Sequence, residues 1–269
     1  LKEMMALEDA DRAHGLDAFD QAFWGHVGHS LANTARAIGR AWTGGLFAPA
    51  PDAGKATRFY RQLGRYAAAF ALTVDMALLT LGGALKRKEM LSARFGDILS
   101  ELYLSSAALK RWNDEGRLDD DLPLLEWCLQ SSIATIETRF DEIFANFPVR
   151  PMAWLLRLCI LPFGRRHRGP SDRITDVCAD IITTPSGTRD RLTVDLFHPP
   201  ESERGHGLAL LERAFAMTVA VQPIRDRMHA ARVRDMDQAV SQRTITADEA
   251  AQLKAAAEAV AAACAVDDF

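Results

Sequence analysis

In this 269-residue sequence, few residues have the types and spacing that chemistry needs. His26 and His29 stand three apart, so they share a face if that stretch is helical. A di-metal carboxylate bundle needs Glu-x-x-His pairs on two helices plus further glutamates. No such set accompanies them, and the pair reads as structural rather than as metal ligands. Asp75 is the lone charge within Tyr66–Leu85 (YAAAFALTVDMALLTLGGAL), 20 residues long. That length suffices to cross a bilayer. A carboxylate at the centre of such a span costs about 2.5–3.5 kcal/mol, and Gly82-Gly83 near its end favour a core helix of a bundle. A buried Asp needs a partner. Arg87 and Arg94, just beyond the glycines, are the candidates for a buried polar pair, with a wet seam around Asp75 as the alternative.

The second candidate is a surface. Residues 151–164 (PMAWLLRLCILPFG) are apolar apart from Arg157, and Arg165-Arg166-His167-Arg168 follow directly. The apolar stretch is too short to span a membrane. Trp154 and Phe163 flank aliphatic residues, and Arg165, Arg166 and Arg168 suit anionic headgroups or an acidic partner. The competing reading is a short helix packed on a bundle, followed by a solvated basic loop.

Other signatures are missing. No G-x-G-x-x-G, G-x-x-x-x-G-K-[ST] or G-x-S-x-G occurs. The acidic run 114–121 lacks the spacing of a calcium loop. Cys128, Cys159, Cys178 and Cys264 are far apart in apolar helical contexts, which fits small core residues in a reducing compartment. A net charge of -4 and a pI near 6.0 are not the footprint of a nucleic-acid binder. With 48% hydrophobic residues, the chain has the apolar content of a folded protein. It opens with no apolar leader and without Met, as a piece of something longer would. A cytoplasmic location is expected, either free or peripheral at the inner membrane face.

The elements that must position these residues are helices, because apolar residues recur at steps of three and four. A short helix is expected to end near His14, with Gly15 as its stop. A second carries Phe19, Phe23, Val27, Leu31, Ala35, Ile38 and Trp42 on one face and ends at Gly44-Gly45. A third carries Tyr60, Leu63, Ala67, Phe70, Val74, Leu78 and Leu81. A fourth runs from Leu85 to about Asp114. In the fifth, Asp121 is the expected N-cap, Pro123 sits in the first turn, and Pro148 follows. The expectation is all-α: an antiparallel bundle over 1–148, an amphipathic, basic and irregular segment over 149–206, and a helical subdomain over 207–269. In the subdomain, helices are expected over 207–221 and again from Pro223. Thr246 and Glu249 form a capping box ahead of the last helix.

The blocks LGGALKRKE (81–89) and LSARFGDILSELYL (91–104) resemble the C-terminal region of bacterial-type long-chain acyl-CoA dehydrogenases. Further blocks agree in order: Ala18-Phe19-Asp20 with His26-Val27-Gly28, Asp121-Leu122-Pro123-Leu124, Asn146-Phe147-Pro148, Pro170-Ser171-Asp172, Thr188-Arg189-Asp190-Arg191 and Val266-Asp267-Asp268-Phe269. The resemblance covers essentially the whole chain. It implies an accessory helical domain behind an FAD-dependent core that oxidises long-chain acyl-CoA to trans-2-enoyl-CoA in fatty-acid β-oxidation. The implied catalytic glutamate lies in a Glu-Gly motif upstream of residue 1, and Glu115-Gly116 is a polar helix end rather than that motif. The resemblance therefore carries no catalytic, FAD-binding or metal-binding residue onto this chain, and implies no activity for it alone. It leaves open support of a homodimer, membrane docking or the acyl-tail end of the active site. The alternative function is a non-enzymatic helical module that binds a membrane or a protein.

Overall fold

A computed structural model of the chain describes residues 12–197, 199 and 207–265. Among the described residues there are ten α-helices and no strand. The chain divides into two compact units, Leu1–Cys178 and Ala179–Phe269. The division falls inside a helix, well beyond the Pro148 boundary that composition suggests.

The first unit holds α1 (Arg12–Trp42), α2 (Thr57–Leu81), α3 (Glu89–Asp114), α4 (Leu122–Asn146) and α5 (Arg150–Ile160). The sixth helix, α6 (Asp172–Thr183), crosses the division. Four long helices joined by short turns bury one continuous core, including Phe59, Leu63, Ile98, Leu109, Leu129, Ile136, Phe140 and Ile143. Residues 1–11 lie outside the described residues, so the expected first helix is not described over them. Gly15 is not a stop: α1 runs straight through it. The true stop is Gly44-Gly45, both at positive φ. A Cβ on Gly45 would sit 3.2 Å from the Arg61 carbonyl oxygen, so the turn must be glycine to lie against α2.

The buried faces differ from the expected stripes. On α1 the buried residues include Asn33, Ala37 and Ala41, while Phe23, Leu31 and Trp42 are exposed. Small residues on the inner face let α1 approach α2 closely, and Arg40 donates to the Gly64 carbonyl at 2.8 Å. On α2 the inner face is Phe59, Leu63, Tyr66, Ala69, Leu72 and Ala77, and Leu78 faces outward. Residues 54–87 have the length and hydropathy of a span, as do 207–230. The inner face of α2, however, is part of the bundle core.

Turn chemistry corrects two boundaries. A 3-10 turn, Gly82–Arg87, separates α2 from α3, so α3 starts at Glu89 rather than Leu85. Asp121 does not cap α4 through its side chain: it ends a 3-10 turn in helical geometry, where the carboxylate does not reach back. Pro123 occupies the first turn as expected.

The second unit contains α7 (Gly187–Thr193), α8 (Gly207–Ala230), α9 (Met236–Ser241) and α10 (Ala247–Cys264). Residues 185–206 are not wholly irregular, because Ser186 caps α7 by accepting from the Arg189 N–H. Pro223 lies inside α8 instead of dividing it. It removes one backbone donor, but Val221 and Ile224 on either side are both buried in a cluster with Met228, Val233, Ile245 and Leu253. That burial holds the helix together across the lost bond. The capping box is present: Thr246 Oγ1 accepts from the Glu249 N–H at 3.2 Å, and Glu249 Oε2 accepts from the Thr246 N–H at 2.9 Å. The terminal Val266–Phe269 block lies outside the described residues.

Leu129 is fully buried at the centre of the first unit. Leu129→Ala is expected to lower stability by about 2–5 kcal/mol, read as a lower urea midpoint with an unchanged slope. A loss under 1 kcal/mol, on the scale of surface changes, would contradict this core assignment.

Candidate functional site

The buried carboxylate among the described residues of the first unit is Glu137, not Asp75. Glu137 lies on the inner face of α4, fully buried. Its carboxylate accepts four hydrogen bonds. Oε1 takes one from the Tyr66 hydroxyl at 2.7 Å and one from His167 Nδ1 at 3.0 Å. Oε2 takes two at 2.8 Å, from the backbone N–H groups of Arg166 and His167. An ionised carboxylate only accepts, which makes His167 Nδ1 the donor in this pair. Tyr66 Oη also accepts from Arg65 Nη1 at 3.1 Å, and the Arg65 guanidinium lies 4.7 Å from the Tyr66 ring centroid. Arg65 is itself buried, with Nη2 reaching the Ile160 carbonyl at 3.5 Å and Nε unpartnered.

These contacts set the protonation states. Burial works to raise the Glu137 pKa, but the hydrogen bonds from the His167 ring, the His167 N–H and Tyr66 win, holding it at about 2. For Tyr66, burial dominates and the neighbouring carboxylate adds to it. Together they outweigh the Arg65 charge and raise the phenol far above its ordinary value. A Glu–His–Tyr cluster invites a reading as acid–base machinery, but the carboxylate here fits that role poorly. A general base works best with a pKa near the operating pH, whereas this carboxylate has its lone pairs occupied and is ionised throughout the neutral range. What it does is mechanical. It draws the backbone at residues 166–167 onto α4 and so fixes where the basic loop lies.

The loop forms one wall of a cavity of about 310 Å³, lined by Arg58, Phe59, Gln62, Gln130, Ile133 and Arg166–Gly169. Of the sequence-predicted surface set, Arg166 and Arg168 line this cavity, while Arg165 donates to Thr138 Oγ1 at 2.9 Å. Trp154 and Phe163 are exposed, and Phe163 meets Trp42 edge-on at 5.8 Å between centroids. The expected Asp75 pair does not form. Arg94 turns to Glu142 at 3.1 Å, and no ion pair among the described residues joins Asp75 to Arg87 or Arg94. Asp75 is only half-buried, so water can solvate it and no partner is required. His29 Nε2 lies 3.0 Å from the Asn33 amide. Among the described residues, no three His, Cys, Asp or Glu side chains gather as metal ligands would.

With the fold and this cluster described, comparison with known families is decisive. The sequence model described as "Acyl-CoA dehydrogenase, C-terminal, bacterial type" matches residues 1–269. The chain belongs to that family. No solved structure matches it. In this acyl-CoA dehydrogenase C-terminal domain, Glu137 is the buried charged residue that sequence reasoning missed. A signal was present: Glu137 stands four after Ile133 and three before Phe140, on the stripe that α4 buries.

Two outcomes follow from the carboxylate network. Tyr66→Phe removes a donor to a buried charge and is expected to cost about 1.5–3 kcal/mol in a urea titration, and no measurable loss would contradict the network. Glu137 also makes stability depend on pH. Its folded pKa of about 2 lies below the ordinary 4.5, so its stabilisation is complete above pH 4.5 and is lost as pH falls toward 2. Glu137→Gln is expected to flatten the acid limb of the stability–pH curve relative to the natural chain. Superimposable slopes in the two proteins would contradict the assignment.

Proposed function

We propose that this chain is the accessory helical domain of an FAD-dependent acyl-CoA dehydrogenase of fatty-acid β-oxidation, and that it packs against the parent's flavin core without supplying a reacting group. The match to the C-terminal family over the whole chain carries the reading. The chemistry of the described site supports it, since its one buried carboxylate is committed to four donors. FAD fits the core rather than this domain. The cavity wall offers arginines and amides, with Phe59 as its one Phe, Tyr or Trp side chain and no deep apolar slot for a flavin ring.

The parent core is the proposed occupant of the outer face of α1. There Phe23 stacks with Phe19 at 5.9 Å between centroids and meets Trp24 edge-on, and Trp24 and Leu31 are 65% and 67% exposed. Aromatic residues clustered in the open mark a docking surface more than a solvated one. The decisive test uses the intact parent enzyme, nicked between core and domain by limited proteolysis and passed over a sizing column. The natural pieces are expected to co-elute, and those carrying Phe23→Asp with Leu31→Asp to separate. Co-elution of both would contradict docking through α1. Dye reduction by the isolated chain with FAD and palmitoyl-CoA would contradict the accessory role itself.

A second reading has its own observation. The outer face of α5 carries Trp154, Leu155 and Leu158, each more than half exposed, and the exposed Phe163 follows. This favours peripheral contact with the cytoplasmic face of a membrane, with Arg165 among the basic residues meeting headgroups. Sedimentation with anionic vesicles is expected to carry the chain down, and Trp154→Asp with Leu158→Asp to abolish that. A natural chain that stays in the supernatant contradicts this reading.

A further inference from the structure

The cavity above Glu137 does not end at the basic loop. Arg58 and Gln130 also line a second, larger cavity of about 730 Å³, whose walls include Lys55, Arg61, Glu126, Ser171 and Arg173. The shared walls make the two adjoining parts of a cleft over the start of α2, the middle of α4, the basic loop and the start of α6. Its charge is lopsided. Lys55, Arg58, Arg61, Arg166, Arg168 and Arg173 line it, against one carboxylate, Glu126. That carboxylate is already taken by Arg58 at 2.8 Å. Glu137, below the floor, has its charge occupied by the loop's own donors. The remaining five cations make no ion pair among the described residues, in a chain whose net charge is -4.

Gathering like charges costs energy unless an anion balances them. Here the gathering is built rather than incidental, because the buried Glu137 contacts fix the loop that brings Arg166 and Arg168 to the cleft. Gly54, Lys55 and Thr57 at the start of α2 also line the larger cavity; the Gly54 N–H is taken by Asp52 Oδ1 at 3.3 Å and the Ala53 N–H by Thr57 Oγ1 at 2.8 Å, so Lys55 is the charge this end contributes. The arginines present planar paired donors that match phosphate oxygens. Gln130, common to both cavities, adds a neutral amide over Phe59 and Ile133. The combined space is that of a small-molecule site.

We infer that this cleft binds a soluble ligand bearing paired phosphates, such as a nucleoside diphosphate or a pyrophosphate ester. The phosphates lie among Lys55, Arg61 and Arg173, and the uncharged remainder lies toward Gln130. The cations converge on two adjoining cavities, which suits a discrete ligand, and the vesicle arm below separates it from a membrane headgroup. The site is independent of the α1 face and of the α5 face, so its test does not depend on either.

The test is calorimetric titration of the full chain with inorganic pyrophosphate at low ionic strength, with a parallel sedimentation arm using phosphatidylglycerol vesicles. Arg61 and Arg173 make no ion pair among the described residues, so Arg61→Ala with Arg173→Ala is expected to leave the fold intact by circular dichroism. Saturable one-to-one binding is expected, weakened at least about tenfold (about 1.4 kcal/mol) in that variant and by added salt. The control Lys86→Ala with Lys88→Ala, two exposed lysines away from the cleft walls, is expected to bind as the natural chain does. Absence of pyrophosphate binding, or equal weakening in the control, overturns the site. Vesicle binding that depends on Arg61 and Arg173 while pyrophosphate gives no signal assigns the phosphate to a lipid headgroup and overturns the soluble ligand.

Discussion

A single buried carboxylate organises the first unit. Glu137 sits where an apolar side chain would be the default choice, and burying an unpaired charge there would cost several kcal/mol. Four donors from two segments remove that cost: a tyrosine from α2, and an imidazole and two backbone N–H groups from the loop after α5. Hydrogen bonds to an ionised acceptor are stronger than neutral ones, and they are directional where apolar packing is not. The core of Phe140, Ile136 and Leu129 would pack against many loops. The carboxylate accepts one arrangement of residues 166–167. Order in an otherwise solvated basic segment therefore descends from one residue on α4.

Local signals were legible in the sequence and long-range ones were not. The helical class follows from three- and four-residue apolar spacing, and the Gly44-Gly45 break, Pro123 and the Thr246–Glu249 box each act within a few residues of themselves. Which face of a helix turns inward is harder to read when apolar residues surround it. On α1 the large residues Phe23 and Leu31 suggested the core face, yet Ala37 and Ala41 took it, because small residues permit close approach to α2. Pro223 suggested a break, and tertiary burial on both sides overrode it. Asp75 drew attention as a lone charge in an apolar run, but half-burial leaves it wet. Glu137 looked ordinary among polar neighbours because its partners lie 71 and 30 residues away. No window of local sequence contains that contact.

The same arrangement gives this C-terminal domain a well-defined surface beside its buried carboxylate. Tying up the carboxylate occupies the one group that resembles a catalytic base, and apart from Arg58 the cations of the cleft make no ion pair among the described residues. The aromatic face of α1, the outer face of α5 and the basic cleft are then three surfaces of different chemistry on one rigid bundle. On the proposed reading these surfaces supply positions, and the reaction belongs to the parent core.

Amide hydrogen exchange at Arg166 and His167 tests this most directly, since both N–H groups lie in a loop with no helix or sheet to protect them. If Glu137 pins the loop, the two amides exchange slowly in the natural chain. In Glu137→Gln they exchange much faster, while the amides of α4 around Phe140 stay protected. Fast exchange at both positions in the natural chain, or equal protection in the variant, would show that the loop owes its place to something else.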